Sequence, residues 1–108
     1  MKTFAENIST FVNVDHLQRI ELTHADGRIA GILENKQGSQ GSLKLYHHLW
    51  KKWGCINADA AKEGLALYAE HTEDAKNHPG KHPNIDRLLS VIEHNASLSV
   101  KIIAAVMP

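Results

Sequence analysis

One cysteine, Cys55, is too few for an internal disulfide and fits a reducing compartment. A surplus of charge is missing as well. Twelve basic residues balance twelve acidic ones, and the formal net charge is zero. That argues against a general nucleic-acid binder, which needs a basic surplus to neutralise phosphates, and against a polybasic membrane anchor; a local basic patch stays open. No apolar run approaches the ~20 residues needed to cross a bilayer. The start, MKTFAENIST, carries Glu6 and has no apolar stretch of signal-peptide length. The expectation is a cytoplasmic protein with neither nucleic-acid nor membrane partners. Motifs are scarce too: there is no HExxH, no CxxC and no P-loop. No repeat of about 34 residues supports a helical solenoid.

What remains is a chain of 108 residues, 43% hydrophobic, which is enough for one core. The expectation is a single globular domain over 1–108. Thr3 and Glu6 have capping-box spacing, and Phe4, Ile8 and Phe11 follow at helical intervals, which predicts a short helix over 3–11. A helix so short must dock to survive. In HLQRIELTHADGRIAGILEN, Asp26-Gly27 between two alternating runs predicts a hairpin with a two-residue type I′ turn. That turn pairs Ala25 with Arg28 and puts Ile20, Leu22 and His24 on one face with Leu33, Gly31 and Ile29.

KQGSQG then reads as a flexible connection. Ser42 is the expected N-cap of LKLYHHLWKKW, with Leu43, Tyr46, Trp50 and Trp53 as its seam and Gly54 as its left-handed stop. Lys44, Lys51 and Lys52 read as its solvated face. Asn57 caps the longest expected helix, ADAAKEGLALYAEHTEDAK, where Ala60, Ala61 and Gly64 imply close packing on another helix. HPGKHP breaks the chain. Pro83 suits the first turn of a helix carrying Ile85, Leu88, Leu89 and Ile92. SLSVKIIAAV alternates as a strand. The fold class expected is α+β: a three-stranded antiparallel sheet, made of the hairpin and the C-terminal strand, packed on one face by about four helices. Such a sheet has open edges, and Ile103 to Met107 is apolar on both faces. Both features point to a homodimer, or another protein partner, at the edge; the alternative is a tail tucked under a helix of its own chain.

Eight histidines are many for this length, and three fall in HTEDAKNHPGKHPNID, His71 to Asp86. A turn can bring helix-end side chains together, so His71, His82 and Asp86 are candidate ligand-binding residues. His71, His78 and His82 are weak candidates for a metal, with Asp74 or Asp86 to complete the set. Each also has a structural role available: His71 borders an apolar stripe, His78 ends a helix, and His82 precedes a helix-starting proline. His47 and His48, adjacent on a helix, point ~100° apart and do not share an ion easily. The segment ENKQGSQGSLK runs from strand through a Gly-rich loop to a helix and makes Lys36, Ser42 and Lys44 candidate anion contacts over Gly38–Lys44. Its structural alternative is a mobile connector. Cys55, before a helix N-terminus, is a conceivable nucleophile with His24, His47 or His48 as base. A lone cysteine in a loop is more often a small buried apolar residue. Trp50 and Trp53 read as core rather than as a base-stacking platform.

GLALYAEHTEDAKNHPGKHPNIDRLL, with ENKQGSQGSLKLY, resembles a family of small bacterial proteins of about this length, known as a conserved domain of unknown function. The resemblance covers most of the chain. It implies a bacterial cytosolic protein and brings no activity, cofactor or catalytic residue. The foremost expectation is therefore a non-enzymatic interaction or regulatory protein acting as a homodimer. The second is a small-ligand, anion or metal-binding protein using the 71–86 joint or the 38–44 loop. The third is a small His/Cys-dependent enzyme. No catalytic residue and no cofactor is assigned.

Overall fold

The computed structural model describes residues 2–106. The elements run α1 (Phe4–Ser9), β1 (Leu17–Thr23), β2 (Ile29–Glu34), α2 (Gln40–Trp53), α3 (Ala58–Tyr68), α4 (Glu70–Asn77), α5 (Pro83–Glu93) and β3 (Ser99–Ala104). The three strands form one antiparallel sheet in the order β2-β1-β3. The fold class is thus the expected α+β one, with five helices in place of four.

The hairpin register follows from burial. Ile20 faces Leu33 and Leu22 faces Gly31, as alternation predicts. Ile20, Leu22 and Leu33 are buried, because a one-residue slip would turn all three to solvent. The turn differs from the expected one. His24 pairs with Arg28 through its N–H to the Arg28 carbonyl, leaving the three-residue loop Ala25-Asp26-Gly27. Only Gly27 has positive φ, at 90°, whereas a type I′ turn needs it at Asp26 too. The Asp26 carboxylate instead accepts the Arg28 N–H at 3.0 Å. The extra residue is absorbed by a bulge after Leu22, which sets Ile29 opposite Thr23 and leaves it exposed.

Thr3 and Glu6 form the expected capping box, Asn57 caps α3, and Gly54 ends α2 in the left-handed conformation. Two helix expectations are corrected. The first turn of α2 begins at Gln40, so Ser42 lies inside the helix rather than capping it. The longest expected helix is two helices, α3 and α4, hinged at Ala69 with φ 53° and ψ −115°. α1 docks at this break. Asn7 donates its side-chain amide to the Leu67 carbonyl at 2.9 Å, and the Phe4 N–H donates to Glu70 at 2.8 Å. Phe4 stacks on Tyr68, with ring centres 5.1 Å apart. One carbonyl freed by the break, that of Leu67, is thereby satisfied by a neighbouring helix.

α3 lies between α2 and α5. At Gly64 a Cβ would stand 2.7 Å from Leu88 Cδ1 and 3.0 Å from Leu49 Cδ1, so the small residue sets the approach. β3 adds to β1, with Ile102 beside Ile20 and Val100 beside Leu22. The expected apolar tail extends to Met107, which lies outside the described residues. Ile56 and Leu98 bridge the α2–α3 loop to the start of β3, both buried. The sheet's other face presents Arg19, Glu21 and Thr23 in its centre, flanked by Ile32 and Glu34 on β2 and by Ser99, Lys101 and Ile103 on β3. Every one of these residues is exposed or half-exposed.

Candidate functional site

The joint between α4 and α5 is organised by one carboxylate. Asp74, in α4, is the hub: Lys81 Nζ lies 2.9 Å and His82 Nε2 2.7 Å from its Oδ2. His78 Nδ1 lies 3.2 Å from Oδ1. The turn makes this possible: Gly80, at φ 94°, reverses the chain, and its N–H donates to Asp86. Lys81 and His82 are thereby returned to the α4 end. Hydrogen bonds from His82 and Lys81 hold the Asp74 carboxyl far below the usual carboxylate range, outweighing desolvation.

Of the sequence candidates, His71, His82 and Ser42 come together. The two imidazole ring centres are 5.6 Å apart. They line a hollow of about 250 Å³ with Ser42, Lys81, Phe4 and Tyr68. Ser42 Oγ accepts the Tyr68 hydroxyl at 2.7 Å, and Phe4 meets His71 edge-on at 5.3 Å. Burial pushes the Tyr68 hydroxyl far above its ordinary pKa, so it stays a neutral donor. The hollow is below the usual range for an organic ligand. The positive charge beside it is already held by Asp74.

The other candidates are dispersed. Asp86 turns away to Gly80 and borders a different groove. Lys36 pairs with Glu34 at 2.6 Å on the surface. Lys44 lines a separate hollow with Asn13, Asp15 and Asn35. The 36–39 turn is closed on itself, with the Ser39 hydroxyl donating to the Glu34 carbonyl at 2.6 Å. Among the described residues, no group of three or more His, Cys, Asp or Glu side chains is arranged to hold a metal ion. His78 and His82 meet on the two oxygens of the Asp74 carboxylate, and His71 lies beside His82. The Cys55 thiol receives the Ser97 hydroxyl at 3.5 Å, and no described histidine hydrogen-bonds to it. His48 is instead fixed by Glu63 at 2.9 Å and stacked on Phe11. His47 is buried beside Trp50 and His16; burial, then the charge of Lys51, pulls its pKa below the ordinary 6.5.

Sequence reasoning passed over Arg87. In the helical pattern of α5 it reads as one more surface cation. The structure places it, half-buried, across Gly31 of β2, where a Cβ would overlap its guanidinium. The signal was there in a glycine within a strand, which marks a close approach by another group.

No curated protein and no solved structure matches the chain. Residues 4–102 match the family described as an uncharacterized protein conserved in bacteria (DUF2322), and the chain belongs to that family.

Proposed function

We propose that this protein is a small cytosolic, non-enzymatic interaction protein that acts as a homodimer joined through the uncovered face of its sheet. The observation that carries this reading is the apolar exposure on that sheet: Ile29 is 57% and Ile32 50% exposed on edge strand β2. Ile103 borders the same face across β1. The charged groups between them suit a second copy. Arg19 and Lys101 balance Glu21 and Glu34, so two such faces related by a two-fold axis meet without a like-charge surplus. The zero net charge of the chain adds no long-range repulsion between copies. The cytosolic setting is supported by the lone free thiol of Cys55. No described helix is long and apolar enough to cross a membrane.

Sedimentation across micromolar concentrations tests the proposal. The expected result is twice the monomer mass for the native chain. Ile32→Lys should return it to monomer mass with an unchanged circular dichroism spectrum, because Ile32 is half-exposed and Glu21 lies opposite it. A native chain that sediments as a monomer throughout sinks the reading.

A further inference from the structure

The Arg87 guanidinium lies over the Tyr46 ring, 5.7 Å from its centre, and its hydrogen-bond partners are neutral. Its Nη1 donates to the Tyr46 hydroxyl at 3.2 Å and to Asn84 Oδ1 at 2.9 Å, and its Nε donates to the Ala30 carbonyl at 3.3 Å. All three acceptors are neutral. Burial raises the Tyr46 pKa to about 12, so its hydroxyl supplies no negative charge near neutral pH. No carboxylate ion-pairs with Arg87 among the described residues. Asp86, its chain neighbour, is engaged with Gly80. Nη2 lies over Gly31 and makes no hydrogen bond among the described residues. Three hydrogen bonds and the Tyr46 ring orient the cation and leave its charge without a counterion among the described residues.

Arg87 borders a groove of about 660 Å³ between α5 and the hairpin. Val91, Ala96 and Leu98 give the groove apolar walls; His24, His94 and Asp86 also line it, the Asp86 carboxylate being held by the Gly80 N–H. The volume falls in the range of small-molecule sites, which pair apolar walls with a few polar groups. The guanidinium is pre-positioned by its three bonds, so little side-chain freedom is lost on binding. We propose that this groove binds a small organic carboxylate, with the carboxylate on Arg87 and its apolar body against Val91 and Leu98. The site is separate from the uncovered sheet face and does not depend on dimerisation.

Titration of ¹⁵N-labelled protein with hexanoate, hexanamide and inorganic phosphate tests it. Hexanoate should shift the amide resonances of Ala30, Ser90, Val91 and Leu98 to saturation. Hexanamide and phosphate should each bind at least about tenfold more weakly, since one lacks the charge and the other the apolar body. Arg87→Gln should weaken hexanoate binding by about tenfold or more. Ser90→Trp, at an exposed position on the groove, should block it while leaving the bonds of Arg87 intact, and carries the test if Arg87→Gln does not fold. No saturable shift with hexanoate overturns the proposal. So does equal binding of hexanamide or phosphate, or hexanoate binding that survives Ser90→Trp.

Discussion

Ala69 stands at φ 53° and ψ −115°, a conformation that an alanine Cβ disfavours and a glycine does not. Such positions cost about 1–3 kcal/mol and persist where surrounding contacts over-determine them. The contacts here are specific: the Thr72 hydroxyl donates to the Leu65 carbonyl at 2.6 Å and Asn7 to the Leu67 carbonyl. Ala69→Gly should therefore raise stability by about 1 kcal/mol, the strain relieved exceeding the ~0.4–1 kcal/mol of added unfolded-chain entropy. Urea denaturation checks this, and a lowered midpoint would show that the position is unstrained. No glycine, proline or cap residue announces the break in YAEHT. The residues that dock on it, Asn7 and Phe4, bond to partners 60 and 66 positions away in sequence.

At the scale of elements, charge clasps the α4–α5 joint around Asp74, while Ala75 and Ile85 join the core. Asp74 has its pKa lowered in the folded chain below the ordinary 3.8. A depressed carboxyl means the unfolded chain binds more protons in acid. Its stabilising effect is complete above that ordinary value and is lost as pH falls through the folded pKa. Asp74→Asn should lower the urea midpoint at pH 7. It should also make the acid limb below about pH 4 shallower than that of the native chain. Parallel acid limbs in the two proteins would remove Asp74 from this role. The 71–86 stretch thus forms a clasp in which His78, Lys81 and His82 meet on Asp74, with His71 beside His82. By contrast, the α3 contact was legible, because Ala60, Ala61 and Gly64 in one helix stripe have few uses other than close approach.

For the whole molecule, one cluster of buried side chains runs from Val14 through the sheet and α2, α3 and α5 to Leu98. α1 and β3 pack on it through partly buried residues such as Phe4, Ile8 and Ile102. With no second core among the described residues, unfolding should be a single cooperative transition. Far-ultraviolet circular dichroism and the fluorescence of Trp50 and Trp53 should report the same urea midpoint. Separate midpoints would mean that the helices or the sheet open independently. A continuous core on one side of a thin sheet also leaves the other side bare, which is the basis for expecting a partner there.

Periodicity and capping in the sequence alone determined the sheet faces, the ends of α1 and α2 at Thr3 and Gly54, the start of α5 at Pro83, and the α+β class. These depend on neighbours a few residues apart, whose chemistry is visible in a short window. The tertiary structure decided the break at Ala69, the bulge that turns Ile29 outward, the clasp on Asp74 and the position of Arg87 over Gly31. Each rests on groups distant in the chain or on the competition between burial and turn geometry. A pattern of residue types does not record where a long side chain finds its partners. Three neutral acceptors, on α2, β2 and the first turn of α5, hold the guanidinium of Arg87 at the groove without a carboxylate.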